Sequence, residues 1–191
     1  MTSIFFVRHA QPDMKISDDR TRPLTSQGLS DTEEVTMILS CCSIDSFISS
    51  PYKRSVDTIA HCARRLKMQI HTDERFKERI RGARSNDLIE KRWKDFNFYE
   101  EGGESLESVQ KRNIEALKEV LEQYPNKNIV IGTHGTALCT ILNYYDPSIN
   151  YASFKSIWLC MPYIIRCDFE SGDLIKREVI LSIMRGYSER H

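Results

Sequence analysis

The chain has 191 residues, and Lys plus Arg balances Asp plus Glu at 27 each. That length supports one domain with a sizeable core, and the balance gives no global field to gather nucleic acid or an anionic membrane, so any electropositive site must be local. The N-terminal apolar run Ile4 to Val7 is too short for a signal peptide, no segment approaches the roughly 20 apolar residues that span a bilayer, and a soluble, cytoplasmic protein is expected.

Six cysteines, including the vicinal Cys41 and Cys42, show no CxxC spacing and fit reduced, buried thiols rather than a disulfide frame. The five histidines fall outside HExxH and HxxxH spacings, so neither a metal nor a cofactor is expected. With no repeat or low-complexity stretch, residues 1–191 read as a single domain, with a lid or insertion over the charged, weakly periodic residues 73–103.

In chain order, "SIFFV" (3–7) reads as a buried strand. Thr25 can cap a helix running to about Ser40, with Leu29, Val35, Ile38 and Leu39 inward. "SFIS" (46–49) follows as a second strand. In "SSPYKRSVDTIA", Ser50 can cap and Pro51 suits the first helical position, with Val56, Ile59, Ala60, Ala63 and Leu66 at helical spacing. "MQIH" (68–71) is a short strand. Leu106, Val109, Leu117, Val120 and Leu121 mark an amphipathic helix, "NIVIGT" (128–133) a buried strand, and "HGTALCTILNYY" the next helix. The C-terminal stretch reads as a hairpin turning at Ser171, Gly172 and Asp173. This alternation predicts an α/β fold: a three-layer α/β/α sandwich on a mostly parallel sheet with an antiparallel edge.

Ligands of such sheets bind beyond the carboxyl ends of the strands. Arg8 and His9 follow the first strand, Arg54 lies in the first turn after the second, and His134 follows "NIVIGT". Two guanidinium forks and two imidazoles converging there suit a phosphate. The segments "VRHAQ", "SSPYKRSVDTIA", "FKERIRG", "GGESLESVQKR" and "GTHGTAL", in that order over about residues 3–140, resemble the histidine phosphatase superfamily, the phosphoglycerate mutase-like proteins.

The resemblance implies that His9 is the nucleophile and becomes phosphohistidine. It also implies that Arg8, Arg54 and His134 hold the phosphoryl group, with Gln11 and Gly135 beside them, and that Glu78 is the general acid. Two arginines and a protonated histidine can neutralise the equatorial oxygens without a magnesium ion. Arg8 and Arg54 would keep His9 neutral, and its other ring nitrogen should donate to a backbone carbonyl.

Ala10 replaces the family's usual glycine, at about 1 kcal/mol if positive φ is needed. Lys15 stands where the mutases carry asparagine. A metal-independent phosphatase acting on a small phosphorylated metabolite is therefore favoured over a phosphoglycerate mutase or a non-catalytic phospho-ligand-binding module. An edge strand or the hairpin could support a homodimer.

Arg75, Lys77, Arg79, Arg81 and Arg84 around Glu78 read as a solvated face, with a handle for a second anionic group as the other possibility. Glu104 and Ser105 read as a helix-start pair. "CMPYIIR" (160–166) has the Cys-x5-Arg spacing of cysteine-dependent phosphatases, but its bulky residues cannot wrap a phosphate, so it reads as a strand with a core thiol.

Overall fold

A computed structural model describes residues 1–83 and 88–187. Its strands are β1 (Thr2–Arg8), β2 (Ser46–Ser49), β3 (Ile70–Thr72), β4 (Asn128–Thr133), β5 (Cys160–Glu170) and β6 (Asp173–Met184). They form one sheet in the order β3-β2-β4-β1-β5-β6. The first four run parallel, and β5 and β6 close one side antiparallel.

The period of two along β1 explains its unbroken apolar run, because both faces are covered. Ile4 and Phe6 join Ile129 and Ile131 beneath α4 (Leu106–Gln123) and α5 (Gly135–Tyr145), which contribute Ile114, Leu117, Leu138 and Ile141. Phe5 and Val7 join Phe47 and Val130 against α1 (Ser26–Ser40) and α2 (Lys53–Arg65), through Val35, Leu39, Ile59 and Cys62. Each such side chain is worth about 1.5–3 kcal/mol of burial, and two clusters on opposite faces make the expected three layers. A third cluster, Trp93, Leu106, Cys139 and Phe154, ties α3 (Ile89–Lys94) and α6 (Tyr151–Ile157) to α4 and α5.

Several local expectations shift. Thr25 caps α1 by accepting from Gly28 N, but Leu29 is 52% exposed because it falls on the helix's outer face. The helix after β2 begins at Lys53 rather than Pro51, with Tyr52 at the cap position. Helix α6 was not foreseen; an Asn150–Ser153 capping box starts it. "CMPYIIR" is strand, and Cys160 is buried, as expected. Ser171 and Gly172 both have positive φ, which suits the tight hairpin between β5 and β6. Among the described residues, no helix is long and apolar enough to cross a membrane.

Candidate active site

The end of β1 delivers His9 into a buried position, 4% exposed, where its Nδ1 donates to the Ala10 carbonyl at 2.7 Å. Burial first, then Arg54 and Arg8, hold its imidazole well below its ordinary value of 6.5, so the ring is neutral. The Ala10 amide is tied to α2 by a 2.9 Å bond to Thr58 Oγ1, whose hydroxyl in turn donates to the Arg54 carbonyl. Ala10 is not among the residues with positive φ, so the conditional strain does not arise and the methyl group is simply buried.

His134, at the end of β4, sits edge-on to His9 with ring centroids 5.3 Å apart, and its Nε2 pairs with Ser50 Oγ at 2.7 Å. It is fully buried, and burial and then Arg54 and His9 lower its pKa well below 6.5. Burial, Arg54 and His9 thus disfavour the imidazolium here, whereas the protonated form expected from sequence needs a phosphoryl group's negative charge beside the ring. Its Nδ1 is buried without a hydrogen-bond partner. Ser50, expected as a helix cap, uses its hydroxyl on His134 and the Tyr52 amide.

Arg54 is 3% exposed, lies against the Tyr52 ring at 5.0 Å and pairs with Asp19 at 3.3 Å. Burial lowers its pKa, while Asp19 and Glu78 act in the opposite sense. Asp19 also holds buried Arg22 at 2.5 Å, and Arg22 is itself near enough to lower His9 further.

Arg8 crosses above α5: its guanidinium donates to the carbonyls of Ile157, Trp158 (3.0 Å) and Cys160 (3.2 Å) and to the Tyr187 hydroxyl (3.1 Å). Gly135 makes room for it, since a Cβ there would meet Arg8 Cζ at 3.2 Å. Glu78, 8% exposed, reaches the first turn of α5: its Oε1 accepts from the Arg79 and Ala137 amides, and its Oε2 from Thr136 N at 3.1 Å. His9, His134, Arg8, Arg54, Glu78 and Gly135 thus lie together. Gln11 is engaged elsewhere, donating to the Arg185 and Gly186 carbonyls and accepting from the Thr25 hydroxyl.

The segment around Glu78 is only in part a solvated face, since Arg81 is exposed but Arg79 is buried. Arg79 pairs with Glu100, which also binds Arg92, and all three are buried; Arg75 turns away to Asp73 and Glu119. Arg8, Glu78, Arg79, Arg81 and Arg92 line one cleft together with Trp93 and Trp158. Arg84 lies outside the described residues. Ser105 caps α4 as expected, but Glu104 instead accepts from Ile80 N and pairs with Arg112. Sequence reasoning missed Asp19, Arg22, Ser50 and Thr58 as site supports; Thr58, one helical turn beyond Arg54, was the most accessible of these by spacing. Among the described residues, no cluster of three or more His, Cys, Asp or Glu is arranged to hold a metal ion.

Fold and site together define an α/β protein that gathers cations and neutral imidazoles at the carboxyl end of its sheet. The family model of the histidine phosphatase superfamily (branch 1) matches residues 4–174, and the chain belongs to that superfamily. It is a phosphatase of the histidine phosphatase type. It is 30% identical over 148 residues to the uncharacterized phosphatase PhoE of Bacillus subtilis, spanning 74% of this chain and 76% of that protein. Its fold is similar to that of Entamoeba histolytica phosphoserine phosphatase in complex with phosphoserine (TM-score 0.76, 22% identity, 95% and 96% of the chains). It is also similar to that of a mycobacterial glucosyl-3-phosphoglycerate phosphatase in complex with inorganic phosphate (TM-score 0.74, 16% identity, 94% and 95%).

Proposed function

We propose that the protein hydrolyses a small phosphomonoester through a phosphohistidine on His9, with residues 1–191 acting as one catalytic domain and Glu78, Arg79, Arg81, Ile89, Arg92 and Trp93, from the expected insertion, walling its cleft. The observation that carries this is the buried, neutral His9 whose Nδ1 donates to the Ala10 carbonyl. That bond fixes the tautomer and leaves Nε2 with the lone pair that attacks phosphorus. Arg8 and Arg54 neutralise the phosphoryl oxygens and His134 offers them a ring N–H, so the chain's own side chains supply the stabilisation.

We assign Glu78 as proton donor to the leaving alkoxide. Its Oε2 accepts a single bond, from Thr136, and is the oxygen with room to carry the proton. Water then attacks the phosphohistidine with Glu78 as base. Arg81, exposed in the same cleft, favours a substrate with a second anionic group. The phosphoserine phosphatase neighbour is in complex with phosphoserine or with 3-phosphoglyceric acid, both carboxylated phosphomonoesters.

The test is brief incubation with a radiolabelled phosphomonoester and an alkaline quench. An acid-labile, base-stable label is expected on the native protein and none on a folded His9→Ala variant; label or turnover retained by that variant would reject His9 as nucleophile. Glu78→Gln should cost more with alkyl phosphates than with p-nitrophenyl phosphate, whose leaving group needs less protonation. Equal losses would remove the acid role.

A further inference from the structure

The described C-terminal residues, 185–187, follow β6 and cross back over the site. Arg185 forms a two-pronged ion pair with Asp31 of α1, at 2.8 and 2.9 Å, and Asp31 is 4% exposed. The amides of Arg185 and Gly186 both donate to the Leu159 carbonyl, at 3.0 and 3.2 Å. Gln11, two residues beyond His9, donates to the carbonyls of Arg185 and Gly186. Gly186 turns the chain at φ +67, a conformation that side-chain-bearing residues rarely adopt. These bonds set Tyr187 over the cleft, its ring edge-on to Trp158 at 6.2 Å and its hydroxyl oxygen accepting from Arg8 at 3.1 Å.

Arg8's other bonds all run to main-chain carbonyls at the α6–β5 junction. Among the described residues, Tyr187 is the side chain that hydrogen-bonds the guanidinium, and it arrives from a segment far away in sequence. We propose that Tyr187 is a positioning residue for Arg8, held in place by a clasp of Asp31, Arg185 and Gln11. Gln11 thus serves the site by anchoring this segment. The clasp couples the C-terminal strap to phosphoryl binding: the Nη bonds leave Nε–H, buried without a partner, as the donor for a phosphoryl oxygen, and its direction follows the plane those bonds set. The inference rests on Arg8 binding the phosphoryl group, as proposed above.

The experiment uses the full chain and compares Tyr187→Phe, Arg185→Ala, Arg8→Lys and the Tyr187→Phe/Arg8→Lys double variant. It reads the vanadate inhibition constant, KM and kcat with p-nitrophenyl phosphate, and the thermal midpoint. Tyr187→Phe keeps the ring against Trp158 and loses only the acceptor. It should weaken vanadate inhibition and kcat/KM about tenfold, with the thermal midpoint unchanged. Arg185→Ala should do the same, and Arg185→Lys should recover part of the loss.

In the Arg8→Lys background, Tyr187→Phe should have no further effect, because the group it positions is gone. An undiminished loss in that background, or unchanged vanadate inhibition in both Tyr187→Phe and Arg185→Ala, would overturn the positioning role while leaving Arg8 in the site. Unchanged vanadate inhibition in Arg8→Lys would instead overturn Arg8 as phosphoryl ligand, and the inference with it.

Discussion

Mild acidification should destabilise the folded protein, because two imidazoles are buried neutral side by side. His9 and His134 are 4% and 0% exposed, and burial first, with Arg54 next, holds both well below 6.5. In the unfolded chain they titrate near their ordinary value. As pH falls through that value, the unfolded state takes up protons that the folded state refuses, so stability is complete above it and declines below it. Between about pH 7.5 and about pH 5.5 each histidine removes about 1.4 kcal/mol, and the pair about 2.7 kcal/mol. For a domain of this size that lowers Tm by about 5–10 °C. The carboxylates of Asp73, Glu100 and Glu104 stay out of this window: all three are lowered, so their contributions are lost only at more acid pH. Urea unfolding at constant ionic strength across the window measures the slope, and His134→Gln should halve it. His61 and His71 lie exposed and serve as substitution controls. A flat stability profile, or a slope that survives replacement of both buried histidines, would refute the neutral-imidazole site.

Gly135→Ala should leave the fold intact but lower kcat/KM about tenfold, because its Cβ would stand 3.2–3.3 Å from three guanidinium atoms of Arg8 and push them by tenths of an ångström; unchanged kinetics would mean that Arg8 tolerates the shift. Glu100→Gln should cost about 3 kcal/mol, since it removes the carboxylate bonded to buried Arg79, Arg92 and the Gly82 amide. Burial alone would raise the Glu100 pKa, but the Arg79 bond and the Gly82 amide bring it to about 2. Its stabilisation should therefore be present above about pH 4.5 and lost as pH falls toward about 2. A urea midpoint unchanged at neutral pH in Glu100→Gln would show that the arginines do not depend on it.

The fold was legible where periodicity and burial coincide. β1 and β4 read as apolar runs because helices cover both faces, and residues 128–133 are the strand that "NIVIGT" predicted. The amphipathic α4 was equally plain, since Leu106, Val109, Leu117 and Val120 face the core at helical spacing. Boundaries were less legible where a polar side chain had two possible employers. Ser50 has the chemistry of an N-cap, but a buried imidazole 84 residues away claims its hydroxyl, and α2 starts later. Short α6 escaped notice because its apolar residues serve the cleft's own cluster and show no long periodic stripe.

The same division runs through the site. Arg8, His9, Arg54 and His134 could be found in sequence because each sits at or just beyond a strand's carboxyl end, a place fixed by local pattern plus the rule for open α/β sheets. Their supports could not, because each arises from a contact that only the folded chain makes: Arg54 to Asp19 across 35 positions, Ala10 to Thr58 across 48, Arg8 to Tyr187 across 179. The charge on His134 was hard to read for a related reason. Counting nearby phosphate ligands argues for an imidazolium, whereas burial and the proximity of Arg54 push the other way. Residue type and spacing therefore locate the groups proposed to meet the phosphoryl group, while their protonation and orientation belong to the second ring of contacts, and that ring is where Tyr187, Asp19 and Ser50 lie.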